Sequence, residues 1–437
     1  MSQLYTRRRF LKTSGAAVGI GLAANVLGEQ GGAPPSEKVN LGFIGVGPQG
    51  GGHLGHFLSF PDVRVTAVCD VDQHRVDAAL KACQGSATGY RDFRKLLEHK
   101  PLDAVAVATP PHWHAIMSVA VCKAGKDLFV EKPMTLTVAE SQAVLKAVKD
   151  NNRISQVGTQ IHAGENYRRV VEIVRGGVLG KVSVVRTFNN LDQGRAGIGK
   201  APNSDPPPHL DWDLWVGPAP MRPYNPLIAG GAYNHCSFMD FSGGWLPGMA
   251  PHIIDLPIWA LELGLPTRVS CTGGRFVLED LGDAPDVQEA QFQYPNLTMT
   301  WMMTLTSSYG WDFQGAGGRR RRLGIYFHGD KATLLADYGM FKIIPEDDPK
   351  AEVKLPAPSL PRSKGHYREW IDCIKSRQEP SCNVFYHHKV NVPCCLANLS
   401  LKLGRSIQFD PKTETVVGDE EAAKGLQPNY RAPWTLG

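Results

Sequence analysis

The chain has 437 residues, 42% of them apolar and 20% charged, with a formal charge of +5. That is long enough for two domains with separate cores, in the balance of an ordinary globular protein. Arg7, Arg8, Arg9 and Lys12 against Glu29 put +3 of the charge into the first 35 residues, so the rest sits near +2 and argues against nucleic acid or an anionic membrane as partner.

Residues 1–35 come first in the chain and have their own pattern. Thr6-Arg7-Arg8-Arg9-Phe10-Leu11-Lys12 precedes an Ala- and Gly-rich apolar run from Gly15 to Leu27. Basic segment, apolar segment and polar spacer in that order are the layout of a twin-arginine export signal, so a periplasmic location is expected. The run falls short of the roughly 20 apolar residues of a membrane span, and no stable span is expected after processing. No sharp Ala-x-Ala site follows, which leaves retention as an uncleaved anchor open. Nine scattered cysteines without a Cys-x-x-Cys pair indicate neither a disulfide framework nor a zinc site. That fits export of a protein already folded in a reducing compartment.

From Val39 onward short apolar strands alternate with amphipathic helices. Strands are predicted at 39–45, 63–70, 102–109, 127–130 and 155–158. Helices are predicted from the Gly-rich turn through Phe57, at 73–83, and from Ala115 to a stop at Gly125. Thr137 with Glu140 three residues on forms a capping box for a further helix reaching Lys149. This rhythm predicts a doubly wound parallel sheet, a Rossmann domain over residues 38–158, in an α/β chain. After residue 159 the rhythm changes. A helix (166–175) and a strand (181–189) lead into a Pro- and Trp-rich stretch, 201–226. Strands follow at 269–278, 287–294, 298–305 and 323–328, with late helices at 366–376 and 390–405. Residues 159–437 therefore read as an α+β domain on a large, mostly antiparallel sheet.

Gly45-x-Gly47-x-x-Gly50 follows the first strand and opens the first helix. Glycines there let the backbone approach a pyrophosphate seated on the helix N-terminus. The second strand ends at Asp70, 20 residues beyond Gly50, where an acid binds the adenosine ribose and repels a 2′-phosphate. NAD is therefore expected over NADP, although Arg75 is close enough in sequence to leave NADP open. Ligands in such sheets bind at the carboxyl ends of the strands. Thr109-Pro110-Pro111-His112-Trp113-His114, Glu131-Lys132-Pro133 and Gly158-Thr159-Gln160-Ile161-His162 fall there. Lys132 reads either as a positioned acid/base or as a surface lysine in a tight turn. No acid or cysteine near His112 and His114 completes a metal set, so no metal is expected and a cofactor-facing loop explains them better. His252 and Asp255 share one face at the start of an apolar helix, as a site pair or a helix-cap histidine. The basic run Arg319–Arg322 reads as a solvated loop, or alternatively as a contact for an anion or a partner subunit.

Together these motifs resemble those of the Gfo/Idh/MocA oxidoreductases, the family of glucose–fructose oxidoreductase and inositol dehydrogenase. The carriers are Gly45-Val46-Gly47, Cys69-Asp70, Ala108-Thr109-Pro110 with His114, Glu131-Lys132-Pro133, Val157-Gly158-Thr159-Gln160, and His252 with Asp255. Asp211-Trp212-Asp213-Leu214-Trp215-Val216-Gly217-Pro218 and the ending near Trp434 resemble signal-bearing members in particular. The resemblance implies a Rossmann domain followed by a domain with a large open sheet used for oligomer contacts, hence a homo-oligomer. It implies Lys132 on the reacting hydroxyl, Glu131 near the nicotinamide ribose and His252 as proton relay. Thr109, Pro110, His114 and Gln160 join the cofactor site, and His162 and Asp255 face the substrate. Many dehydrogenase members have an Asp four residues before the relay histidine; here that position is Gly248.

The leading functional expectation is hydride transfer between a ring carbon of a sugar, polyol or glycoside and nicotinamide C4, with the cofactor tightly bound and recycled within the cycle. The alternatives are a redox-neutral glycosidase, working by oxidation, elimination, addition and reduction, and a non-catalytic carbohydrate-binding protein on the same scaffold.

Overall fold

A computed structural model describes residues 38–231, 233–308 and 322–437. Residues 1–35, read from the sequence as an export signal, and Arg319, Arg320 and Arg321 of the basic run lie outside the described residues.

The first sheet is built by β1 (Val39–Ile44), β2 (Val63–Cys69), β3 (Thr88–Tyr90), β4 (Ala104–Val107), β5 (Asp127–Val130) and β6 (Ser155–Val157), in the order β3-β2-β1-β4-β5-β6 with every pairing parallel. Its order reverses between β1 and β4, and the carboxyl ends there form the crevice in which such sheets bind ligands. Five helices fill the crossovers: α1 (Pro48–Leu58), α2 (Gln73–Ala82), α3 (Phe93–Leu97), α4 (His114–Lys123) and α5 (Val138–Asp150). The predicted capping box is present, with Thr137 and Glu140 each bonded to the other's backbone. Strand side chains alternate between two cores. Val105, Val107, Leu128 and Val130 meet α4 and α5, whereas Ala104, Ala106 and Phe129 meet Phe57 of α1.

The second sheet contains β7 (Val182–Asn190), β8 (Arg268–Gly274), β9 (Val287–Gln293), β10 (Thr298–Thr304), β11 (Leu323–Gly329), β12 (Ala332–Ala336), β13 (Phe341–Pro345), β14 (Ile407–Asp410) and β15 (Thr415–Val416). The order is β13-β12-β11-β7-β10-β9-β8-β14-β15, and only β7 with β10 is parallel. One face is covered by the helices over Pro251–Ala260 and Val384–Leu403, with α6 (Glu165–Arg175) packed on the first of them; on β10, Met299, Trp301 and Met303 point into the core while Thr298, Thr300 and Met302 stay half-buried outside it. The Pro- and Trp-rich stretch folds as a compact insertion. Short helices α7 (Trp212–Val216), α8 (Pro226–Gly230), α9 (Met239–Ser242) and α10 (Trp245–Met249) lead into α11 (Pro251–Ala260). Trp212, Trp215, Phe238 and Phe241 give this insertion an apolar core of its own.

Two late helices, α12 (His366–Ser376) and α13 (Val384–Leu403), join the two sheets, with α14 (Glu420–Lys424) behind them. Trp370, Ile371 and Ile374 of α12 pack into the core under β1 and β5, so a helix from the second half of the chain closes one face of the first sheet. Strands β3, β12, β13, β14 and β15 were not predicted; each has at most five residues, too few for alternation to show.

A polar clamp fixes α12. Asp62 accepts from both guanidinium nitrogens of Arg368, at 2.8 and 3.0 Å, and from Lys375 at 2.5 Å. The Arg368 hydrogen bonds, joined by Lys375, hold the Asp62 carboxyl well below the usual carboxylate range. A depressed folded-state pKa stabilises the fold above the unfolded value and loses that contribution as the pH falls through the folded one. Asp62→Asn is expected to cost about 1 kcal/mol near neutrality, a partly exposed pair being worth little more. The gap from wild type should begin to narrow below about pH 4 and shrink further as the pH falls toward the folded-state value. Denaturant melts across pH check this, and an unchanging gap would contradict it.

Candidate active site

The Gly-rich turn is built by steric necessity. Gly45 has φ +84°, and a Cβ there would lie 2.7 Å from the Ala108 carbonyl carbon. A Cβ on Gly50 would lie 1.9 Å from the Gly45 oxygen, so α1 starts closer to β1 than any side chain permits. Gly47 caps α1, whose free N–H groups face the cleft. Asp70 accepts from the Val46 N–H and the Asp72 N–H, at 3.0 Å each. Burial lifts its carboxyl above the usual range, against the pull of Arg75 and those two donors. Arg75 lies across Gly47 and donates to the Ala229 carbonyl at 3.1 Å, with Asp72 3.7 Å away. Gly45, Gly47, Asp70, Thr109 and Pro110 all line this cleft, and Trp215 and Ile228 of the insertion form its far wall.

A second cavity begins where the cleft ends. Lys132, His252, Gln160, Asn190 and Arg322 line it. Glu131, Lys132, Gln49, Tyr233, Cys236 and Gly248 line both. The cleft and the roomy second cavity thus meet at the turn after β5, the arrangement two reacting ligands require. The Lys132 ammonium donates to the Gly248 carbonyl at 3.2 Å. A Cβ on Gly248 would find Cys236 Sγ at 3.7 Å, an ordinary contact, so a side chain at this position is not excluded by space. His252 is half-buried, and its Nδ1 has no hydrogen-bond partner among the described residues. Burial, reinforced by the Lys132 charge, lowers its pKa to about 3, which keeps the ring neutral and able to accept a hydrogen bond.

Glu131 is the most constrained group here. It is 4% exposed; Oε1 is 2.7 Å from His53 Nε2 and 3.2 Å from Gln49 Nε2, and Oε2 accepts the Lys132 N–H at 3.0 Å. Burial opposes its charge, but the His53 hydrogen bond, helped by His53 and Lys132 charge, lowers its pKa to about 2. Gly158 makes room, since a Cβ there would lie 2.4 Å from Glu131 Oε1. His53 Nδ1 is 2.8 Å from the Tyr367 hydroxyl on α12, and Tyr233 donates to Gln49 at 2.9 Å.

The structure places four expected residues elsewhere. His114 was expected at the cofactor but is buried away from both cavities, its ring nitrogens 2.7 Å from the Pro133 carbonyl and 2.8 Å from that of Thr109. It ties the two cofactor loops together. His112 does the same for the insertion, bridging the Phe241 and Trp215 carbonyls. His162 and Asp255 were expected to face substrate, yet neither lines the cavity. His162 Nε2 lies 3.1 Å from Asp255 Oδ1, its ring stacks on Trp259, and Tyr386 also bonds Asp255. Gln160, expected at the cofactor, lines the second cavity. His53, Gln49, Tyr233, Cys236 and Tyr367 were not singled out. A histidine on the inner face of an otherwise apolar α1 was a usable signal for His53; Tyr367 lies 314 residues from it and gave none.

Residues 39–159 match the profile of an oxidoreductase family with an NAD-binding Rossmann fold, and residues 164–267 and 286–436 match that of the oxidoreductase family's C-terminal alpha/beta domain. A glycosyl hydrolase family 109 protein of Shewanella pealeana is 32% identical over 203 residues, 40% of this chain and 44% of that protein. The match therefore spans less than half the length of such curated relatives. The WlbA dehydrogenase from Bordetella pertussis, solved with NADH and UDP-GlcNAcA, superposes with a TM-score of 0.64 at 17% identity over 85% of this chain and 99% of that one. Levoglucosan dehydrogenase, solved with NADH, gives 0.61 at 17% identity over 84% and 98%. At these identities the structural likeness is one of fold. With the profiles covering both halves and the two cavities meeting at Lys132, this chain belongs to the Gfo/Idh/MocA oxidoreductase family and is an NAD-binding oxidoreductase.

Proposed function

We propose that the protein transfers a hydride between a ring carbon of a sugar, polyol or glycoside and NAD, with the cofactor held and recycled in each turnover. The observation that carries this is Lys132, which lines both cavities together with Glu131 at the turn where they meet. Its ammonium contacts the reacting hydroxyl, and the neutral His252 ring accepts a hydrogen bond from the same group. Asp70, at the end of β2, takes the adenosine ribose, while Arg75 is already engaged with Ala229 and Asp72. Sugar-linked names among the relatives support the substrate class.

A redox-neutral glycosidase is the second reading. Gly248 favours it, because the lysine's partner is a main-chain carbonyl where dehydrogenase members carry a carboxylate. The name of the glycosyl hydrolase family 109 relative points the same way, over the 40% of this chain that it matches. A purely binding role is disfavoured by the convergence of Lys132 and His252 on one cavity.

Denaturing the purified protein is expected to release NAD. A panel of para-nitrophenyl and methyl glycosides then separates the readings: net NADH marks a dehydrogenase, and free sugar without net NADH marks the glycosidase. Lys132→Met should lower turnover by about two to four orders of magnitude with nucleotide content unchanged. Wild-type turnover in that variant, or protein that binds no nucleotide, would sink the reading.

Export by the twin-arginine route, to the periplasm, is supported by Arg7, Arg8 and Arg9 ahead of the apolar run and by nine free thiols, eight of them buried, in a body that folds without disulfides. Replacing all three arginines by lysine should leave the protein in the cytoplasmic fraction; unchanged fractionation speaks against this route. A homo-oligomer, dimer or tetramer, is supported by the half-buried outer face of β10 on an open sheet. Sedimentation velocity at micromolar concentration should give a species of at least twice the monomer mass, and a monomer there contradicts the assignment.

A further inference from the structure

Three buried side chains of metal-binding types meet where the two halves of the chain join. Asp255 on α11, Cys382 just before α13 and His387 on α13 are each at most 1% exposed, and a ligand atom from each lies within 4.8 Å of the other two. The Cys382 carbonyl accepts the Val157 N–H at the end of β6, so the group also touches the first sheet. Cys382 Sγ is 3.9 Å from His387 Nδ1, close to the roughly 3.5 Å between sulfur and nitrogen ligands of a tetrahedral zinc. The hydrogen bonding of the group is incomplete. Asp255 Oδ1 takes the contacts with both His162 and Tyr386, and Oδ2 has no partner among the described residues. His387 Nε2 has none either, and neither of its nitrogens meets a carbonyl of the kind that ties down His112 and His114. A buried carboxylate also needs a counter-charge. Asp255 is bonded to an imidazole and a phenol, and no lysine or arginine among the described residues pairs with it.

We propose that Asp255, Cys382 and His387 bind a divalent transition-metal ion, zinc in particular, at the junction of the two domains. Carboxylate, thiolate and neutral imidazole are ligand types that zinc takes, and three protein ligands leave a fourth position for water. One carboxylate and one thiolate balance the two charges of the ion, so the filled site is neutral and tolerates full burial. Cys382 enters as a thiol. Its S–H bond breaks as the sulfur–metal bond forms, and the proton leaves to solvent. The neighbours are placed to hold the ligands. Thr159 Oγ1 lies 2.9 Å from Cys382 Sγ and can donate to the thiolate, while His162 and Tyr386 hold the other oxygen of Asp255. The ion pins α11, which also carries His252, to α13 and to the end of the first sheet. This assignment does not depend on the hydride-transfer reading.

The test uses the untagged full-length chain, expressed in minimal medium with zinc or with cobalt so that the site fills during folding. Elemental analysis after desalting should give about one metal ion per chain. The cobalt form should show the near-ultraviolet charge-transfer band of a cobalt–thiolate bond. Cys382→Ser should abolish that band, and both it and His387→Gln should lower the retained metal by at least about 10-fold. Cys373→Ser, outside the group, should keep band and metal. A measurement on the wild type covers the case of a variant that does not fold: in mild denaturant, alkylation of Cys382 should speed up relative to Cys373 once a chelator is added. Wild-type protein that holds no metal from either medium overturns the proposal, as does cobalt bound without the charge-transfer band, or alkylation of Cys382 that ignores the chelator. Metal that stays in Cys382→Ser and leaves with His209→Gln also overturns it, and would place the ion at the more exposed group Asp72, His74 and His209.

Discussion

Burying Glu131 at the end of β5 carries a desolvation cost that has to be offset within a few ångströms. Much of the architecture can be read as that compensation. His53 and Gln49 arrive from α1, the Lys132 N–H from the next residue, and Gly158 at the end of β6 leaves the space a side chain would have filled. His53 would be a half-satisfied imidazole without Tyr367, and Tyr367 arrives only because α12 returns from the second half of the chain. A buried charge at the turn after β5 thus depends on a helix from outside the Rossmann domain.

The same logic of borrowed walls shapes the nucleotide cleft. Strand ends and the Gly-rich turn provide its floor, and the insertion that carries α7 and α8 provides its roof. That roof is held by side-chain contacts to main-chain carbonyls. His112 spans two of them, and the Trp113 indole N–H reaches the Leu214 and Trp215 carbonyls. Burial keeps the His112 and His114 rings neutral, with that of His112 lowered to about 4, so each donates its single N–H to one of the two carbonyls it lies between. The histidines around this site therefore divide by what their nitrogens meet. His112 and His114 are spent on carbonyls, and His252 is left free.

That division explains what the sequence could and could not show. The strand–turn–helix register, the capping box at Thr137 and the acid at Asp70 are local patterns, and each was readable from spacing. So was the alternation of β9 and β10. Strands β3 and β12 to β15 have at most five residues and lie at or next to a sheet edge, where little alternation shows. The site histidines failed differently. His112, His114 and His162 look alike in sequence, because a histidine after a strand end is equally suited to a ligand or to a carbonyl tie. Only tertiary position separates them. His53 and Tyr367 are coupled across 314 residues, a distance at which no local pattern operates.

Gly248 is where local reading and tertiary structure combine to most effect. A carboxylate at that position could both orient the neighbouring groups and exchange a proton with them. The main-chain carbonyl that Lys132 meets instead can only accept a hydrogen bond; it has no proton to give and none to keep. Lys132 is therefore oriented without being relayed, and His252, lowered to about 3 by burial beside that ammonium, stores a proton poorly. Glu131, ionised and 2.7 Å from His53, is the group whose charge is in place before any substrate arrives. An ammonium aimed at a carbonyl, beside a neutral imidazole and a buried carboxylate, is an arrangement that orients a hydroxyl more readily than it holds that hydroxyl's proton.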